Sequence, residues 1–437
     1  MKHLLVISPS FPPANAADMH RVRQSVSYLE ELGWKPTVVV VEPSRTEGVM
    51  DPLLSQTLPP DLEVITVKAF STRWTRKLGL GSLALRSLWY YFRVVTALLH
   101  KRQFDLVYFS TTMFPVTILG AYWKRRFGVP YVIDMQDPWY SDHYLKVPPS
   151  QRPPKFWFSY YSNKFLEPIA MQSVDGIISV SQGYCDVLQG RYSNITPENC
   201  TVIPFGAFAR DFQILKTQRL ENRFFEAGEG LIHVAYVGRG GFDMDQSATL
   251  IFKAFAAGLA GKPELFGRVR MYFIGTSYAP GNQGRETIKP VAEIEGVGAF
   301  VREYPGRVPY FEALHLLQSA QMLMIPGSSQ ASYTASKLYP YIMAQKPLLA
   351  VFNRQSSVVE ILNQTEAGEF VMFDENIGNS TEKLVEELHA KWLAMLEKLP
   401  FTPATNWQAF EPFTAKEMTR KQVVFFEKIC GQYYPDY

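Results

Sequence analysis

The 437-residue chain is about three to four times the usual size of one domain, which predicts two. Apolar types make up 47% and charged types 19%, a globular composition that excludes disorder as the main state. Lys plus Arg number 44 against 41 Asp plus Glu, and so small an excess (+3) does not argue for nucleic acid as the main partner.

Leu4-Leu5-Val6-Ile7-Ser8 is a short apolar run, as expected of a parallel strand buried on both faces. Met19, Val22, Val26, Leu29 and Leu32 recur at helical spacing until Gly33, and Val38–Val41 is the next strand. This βαβ unit predicts a doubly wound parallel sheet. The pattern continues through strands at Leu106–Phe109, Tyr131–Asp134 and Gly176–Val180, with a helix over Val116–Phe127. After Val202–Gly206 an irregular charged stretch runs to about Gly230, and the cycle restarts. His233–Val237, Met271–Ile274, Met322–Ile325 and Pro347–Val351 read as strands, with a helix over Ala248–Leu259. The fold class is α/β, with two Rossmann-like domains facing a cleft. Residues 1–205 form the first domain and 206–405 the second. A terminal helical segment, 406–437, packs back on the first.

Ligands of open parallel sheets bind beyond the carboxyl ends of the strands, so the residues after each strand are the candidates. After the first strand, residues 8–21 form a proline-rich loop that ends with His20 and Arg21 in a first helical turn, where unpaired N–H groups suit an anion. After Tyr131–Asp134 stand Asp134, Asp137 and Trp139, two acids and a ring that suit hydroxyl orientation, acid–base work and stacking on a sugar. A capping Asp and a buried Trp would explain them equally. Val237-Gly238-Arg239-Gly240-Gly241 offers close backbone approach and a guanidinium fork for phosphate. Ser336 is a good N-cap, aiming free N–H groups and the Lys337 ammonium at an anion, with Leu338 next. No metal-ligand spacing, phosphate-cradling G-x-x-x-x-G-K or nucleophile elbow occurs.

Cys185, Cys200 and Cys430 show neither a disulfide framework nor zinc spacing, so a reducing compartment is the simpler expectation. The apolar start is too short for a signal peptide, and no run reaches the length of a spanning helix. Aromatic content is high, at 14%. Arg73 to Arg102 and Lys155 to Tyr161 are basic and aromatic, which suits either helices covering a sheet or contact with an anionic membrane.

Taken in order, these landmarks resemble the GT-B glycosyltransferases of the retaining family four, and more closely the bacterial subgroup that builds surface polysaccharides. The resemblance rests on Phe11-Pro12-Pro13 with Arg21, the stretch from Gly128 to Asp137-Pro138-Trp139, Tyr236-Val237-Gly238, Phe273-Ile274-Gly275, Ser336-Lys337-Leu338-Tyr339, and Lys346-Pro347. It implies transfer of a sugar from a nucleotide-sugar donor to a glycan or lipid-linked acceptor, with no metal and no cofactor, since the nucleotide-sugar is a substrate. Arg239, Gly240, Ser336, Lys337 and Leu338 would bind the donor. Arg21, Asp134 and Trp139 would bind the acceptor, and Asp137 and His20 would be catalytic. The expected place is cytoplasmic, at most attached to the inner face of the cell membrane. The chain departs from the family pattern where an E-x7-E pair would fall, at Ser332 and Pro340, and where acidic Asp243 and Asp245 replace a lysine. A catalytically silent GT-B protein at the membrane and a sugar-nucleotide epimerase are the competing readings.

Overall fold

The computed structural model describes residues 1–46, 48–75, 81–145, 148, 152, 156–277, 279, 283–330, 337–374 and 381–433. The chain folds as two α/β units, Met1–Gly206 with Ala415–Tyr437, and Ala207–Thr414.

The first unit carries seven parallel strands: β1 (Lys2–Ile7), β2 (Trp34–Val41), β3 (Glu63–Val67), β4 (Leu106–Ser110), β5 (Tyr131–Met135), β6 (Gly176–Ser179) and β7 (Cys200–Val202). Their order is β3-β2-β1-β4-β5-β6-β7, so the winding reverses between β1 and β4. The apolar runs explain the layering. Successive side chains of a strand point to opposite faces. Leu5, Ile7, Val39, Val107 and Ile133 therefore enter one core, and Leu4, Val6, Val38, Leu106 and Val132 the other. The helix Ala415–Tyr433 closes the second core with Met418, Phe426 and Ile429, and Phe426 meets Trp34 edge-on at 5.7 Å. The chain returns to this unit at Ala415; residues 407–413, a short helix and a 3-10 turn, belong to the second unit.

The second unit carries β8 (Ile232–Val237), β9 (Val269–Ile274), β10 (Val301–Tyr304), β11 (Met322–Pro326), β12 (Leu348–Asn353) and β13 (Glu369–Phe373). Their order is β10-β9-β8-β11-β12-β13, again all parallel, and the reversal lies between β8 and β11. β3, β7, β10 and β13 are additions to the strands expected from the sequence. Each lies on an outer flank of its sheet and is only partly apolar, as in Glu63-Val64-Ile65-Thr66-Val67.

The cysteine expectation is corrected. Cys185, on the helix Gln182–Arg191, and Cys200, at the start of β7, form a disulfide with Cα atoms 6.1 Å apart. The return from that helix into the neighbouring strand brings together two residues that sequence spacing keeps 15 apart. Cys430 is free and buried.

Candidate functional site

In the second unit the residues that follow β8, β10 and β11 build one structure. Tyr341 is buried, and its phenol accepts the Val237 N–H at 2.7 Å and donates to the Val237 carbonyl at 3.2 Å. Tyr236 donates to the Arg239 carbonyl at 2.7 Å. These two rings fix the turn from Val237 to Gly240. Tyr341 is thus a brace under the turn. Gly240 donates to the Thr276 carbonyl at 2.7 Å, and a Cβ there would stand 2.6 Å from Thr287 Oγ1 and 3.0 Å from Thr276 Cβ, so only glycine fits. Behind it the buried Glu303 carboxylate accepts from the Thr276 hydroxyl and the backbone N–H groups of Thr287, Ile288 and Lys289 at 2.6–3.1 Å, holding the neighbouring loop.

Arg239 extends from this turn. Its fork is engaged by Asp243, with Nη1 to Oδ1 at 2.9 Å and Nη2 to Oδ2 at 2.6 Å, on side chains 24% and 20% exposed. Burial works against the Asp243 carboxylate, but donors from Arg239 and Ser328 outweigh it and hold the group below the usual carboxylate range. Asp243 therefore occupies the fork that the sequence offered to phosphate. Lys337 lies at the N-cap of the helix Leu338–Met343. Burial, then the guanidiniums of Arg239 and Arg307, push its ammonium down to about 8. The charges of Arg239 and Arg307 thus act on Lys337 beyond the carboxyl ends of β8, β10 and β11, and an anion bound there would raise its ammonium again. Leu338 is fully buried and offers backbone only. Ser336 lies outside the described residues. Arg307 was absent from the sequence expectation, although inspecting residues after each strand finds it once β10 is recognised.

The first unit gathers its candidates at the β1–β4 reversal, and most of them prove to be internal. Arg21 and Asp134 form an ion pair at 2.8 Å with both side chains buried. Arg21 also donates to the Ile203 and Pro204 carbonyls at 2.7 and 3.2 Å, and Asp134 accepts from Ser110 and Gln136 at 2.8 and 2.7 Å. Gln136 reaches on to the Asp18 carbonyl, and Asp18 accepts from Thr111 and from the Thr112 backbone. This network ties β4, β5 and the end of β7 to the first helix, Met19–Ser25. Trp139, expected to stack on a sugar, is 4% exposed; its ring lies against Phe114 at 5.4 Å and its Nε1 donates to Asn163. Arg21, Asp134 and Trp139 present no open surface to an acceptor.

His20 and Asp137 differ. Asp137 is exposed at the mouth of this network, and its carboxyl is raised by burial of its surroundings and then by Asp18. It also raises the nearby Tyr184 phenol, after burial. The His20 ring is partly exposed, and burial followed by Arg23 lowers it well below the ordinary histidine range. Arg23 Nη2 lies 3.1 Å from His20 Nδ1. Because a guanidinium only donates, Nδ1 accepts, and the neutral ring carries its proton on Nε2. Such a ring is a hydrogen-bond donor.

A cavity of about 650 Å³ lies at the amino ends of β12 and β13, lined by Leu348, Leu362, Glu369, Phe370, Met395 and Phe401, and none of the expected site residues lines it. Among the described residues no group of three or more His, Cys, Asp or Glu stands together as a metal site, and no helix is long and apolar enough to cross a membrane.

Comparison with known proteins agrees with this architecture. Residues 20–207 match the family described as Glycosyltransferase Family 4. No curated protein matches the sequence. Among solved structures, HepE from Anabaena, crystallised with UDP and glucose, is similar with a TM-score of 0.55 at 14% identity, over 97% of this chain and 99% of that one. Sucrose-phosphate synthase from Thermosynechococcus elongatus is similar at 0.55 and 15%, over 98% of both chains. A UDP-forming trehalose-phosphate synthase from Burkholderia xenovorans is similar at 0.53 and 14%, over 98% and 99%. Two parallel sheets wound as described, matched over almost the whole chain by these solved structures, give the protein the GT-B fold, and residues 20–207 carry the Glycosyltransferase Family 4 match.

Proposed function

We propose that the protein is a retaining glycosyltransferase that moves a sugar from a nucleotide-sugar donor to a glycan or lipid-linked acceptor in polysaccharide or glycoconjugate biosynthesis. The observation that carries the reading is the convergence of Arg239, Lys337 and Arg307 beside the Gly240 turn. The family match over residues 20–207 supports it, as do the relatives crystallised with UDP and with UDP-glucose. In the reaction the bond from the anomeric carbon to the donor phosphate oxygen breaks. An acceptor oxygen bonds to that carbon on the same face, and the acceptor proton passes to the departing phosphate. Charge grows on the diphosphate as it leaves, and the three cations supply the opposing charge without a cofactor. Asp137 and the Nε2–H of His20 serve the acceptor and the sugar hydroxyls, while Arg21 and Asp134 hold the loops that present them. A lipid-linked acceptor would put the work at the inner face of the cell membrane.

The Arg239–Asp243 pair favours a second reading, a GT-B protein without catalysis that serves in binding or assembly at the membrane. Calorimetric titration with UDP, GDP and their sugars separates the two. The transferase reading expects one nucleotide to bind and Arg239→Ala to weaken it at least tenfold, and it fails if no nucleotide binds.

A further inference from the structure

Three helices cover one face of the first unit's sheet: Leu83–Lys101, Ile118–Phe127 and Phe156–Met171. Their inner residues, among them Tyr91, Val95, Trp123 and Met171, enter one core. Their outward residues form an unusual set. The only acidic residue in all three sequences is Glu167, and it is buried, with Arg191 and Tyr192 on its carboxylate at 3.0 and 2.9 Å. Arg93, Lys101, Arg125, Arg126 and Lys164 are all exposed. A chain with a net charge of only +3 thus puts five exposed cations and no exposed carboxylate on one helical layer.

The same layer exposes large apolar rings. On Phe156–Met171, Trp157, Phe158, Tyr161, Phe165 and Ile169 are 41–72% exposed. At about 100° per residue they fall within an arc of roughly 120°, with Lys164 at its edge. Trp89, 52% exposed, adds a ring from the helix Leu83–Lys101. An apolar stripe rich in Trp and Tyr, with Lys164 at its edge and cations on the two other helices of the layer, matches the chemistry of a headgroup boundary, where rings sit among the acyl ends and ammonium or guanidinium groups meet phosphate.

We propose that this layer docks the protein on an anionic lipid bilayer, with the Trp157–Phe165–Ile169 stripe entering the headgroup region and the five cations on lipid phosphates. The docking does not depend on the transferase reading, because it is measured without turnover. Charge complementarity selects a membrane over a protein partner: the three helices expose five cations and no acid that could pair with a protein's lysines.

The test is flotation of the full-length protein with vesicles of phosphatidylcholine alone or with 30% phosphatidylglycerol, at low and high salt. Binding to the anionic vesicles only, weakened at high salt, is expected. Phe165→Asp should lower binding at least tenfold, and Arg125→Glu with Arg126→Glu should lower it about fivefold or more per charge. Val424→Asp, at an exposed site on the helix Ala415–Tyr433, should leave binding unchanged. Circular dichroism and thermal melting check that the variants fold. Failure of the wild-type protein to float overturns the proposal, as does equal binding to neutral vesicles. Undiminished binding by folded Phe165→Asp overturns it too, and so does a wild-type dimer that this substitution dissolves while vesicle binding is absent.

Discussion

Asp243→Asn is expected to tighten nucleotide diphosphate binding. The wild-type carboxylate holds the Arg239 fork through two charge-assisted contacts at 2.9 and 2.6 Å, so a phosphate can take that fork only by displacing it. A hydrogen bond to a charged group contributes about 1.5–3 kcal/mol net. With about a fifth to a quarter of each side chain exposed, water recovers part of that on separation, leaving a cost of about 1–2 kcal/mol. Asn keeps the shape and one acceptor oxygen but gives up the charge, so UDP or GDP should bind about five- to thirtyfold more tightly at 1.4 kcal/mol per decade. Acid is no substitute for the mutation, because Asp243 titrates below the usual carboxylate range. The assay is isothermal titration of wild-type, Asp243→Asn and Arg239→Ala proteins with each nucleotide at neutral pH. If Asp243→Asn weakens binding as much as Arg239→Ala does, the carboxylate orients the guanidinium for its ligand and the competition argument is refuted. If neither variant changes affinity, the phosphate does not sit at Arg239.

Nucleotide affinity should fall as pH rises from about 7 to 9, because the free protein loses the Lys337 charge near 8 while a bound diphosphate raises that group and draws a proton in. Titrations in buffers of different ionisation enthalpy should show proton uptake near pH 8, and Lys337→Met should abolish it. The sign is opposite for folding: between about 8 and the ordinary lysine value the unfolded chain holds the extra proton, so Lys337 makes stability rise with pH there, which denaturant midpoints across that window can check. Gly240→Ala should cost about 1–3 kcal/mol of stability, since its Cβ meets Thr287 at 2.6 Å and Thr276 at 3.0 Å, and should weaken nucleotide binding; a neutral melting temperature would show that the loop yields. Arg21→Met should destabilise by about 3–5 kcal/mol in urea by stranding the buried Asp134 charge, and a variant of wild-type stability with only a raised acceptor KM would return Arg21 to the acceptor site.

Most of the fold is legible in the sequence because parallel strands buried on both faces leave unbroken apolar runs. Leu4–Ile7, Val38–Val41 and Met322–Ile325 each announce a strand, and their alternation with helical spacing fixes the class. The flanking strands are harder to read. Val301-Arg302-Glu303-Tyr304 puts two charged residues in four, since Glu303 serves as the acceptor for a neighbouring loop and Arg302 faces out to Glu226. The disulfide is invisible for a similar reason, as it depends on which helix returns beside which strand and not on cysteine spacing.

The candidate site divides along the same line. Sequence position draws attention to residues after strands, but position says only that a residue reaches the sheet's carboxyl edge, not whether it turns outward or inward. Asp134 and Arg21 turn inward because each is the other's charge partner; Asp134 lies deep enough that an unpaired carboxylate would be costly, and Arg21 also satisfies two carbonyls at the end of β7. Trp139 turns inward because Phe114 and Asn163 offer its ring a face and its N–H an acceptor. Arg239 and Lys337 stand at the carboxyl edge of the second sheet, Arg239 with its fork on the Asp243 carboxylate and Lys337 under the like charges of Arg239 and Arg307. Buried groups whose charges are answered within the fold maintain shape, whereas an ammonium lowered by burial and by neighbouring like charges, as Lys337 is, gains from an anion bound beside it. That difference in compensation is a property of contacts across the sheet and is absent from any local stretch of sequence. It is the physical ground for proposing the second unit's Arg239, Lys337 and Arg307 as the donor-phosphate site, and for the scaffolding contacts of the first unit's Arg21 and Asp134.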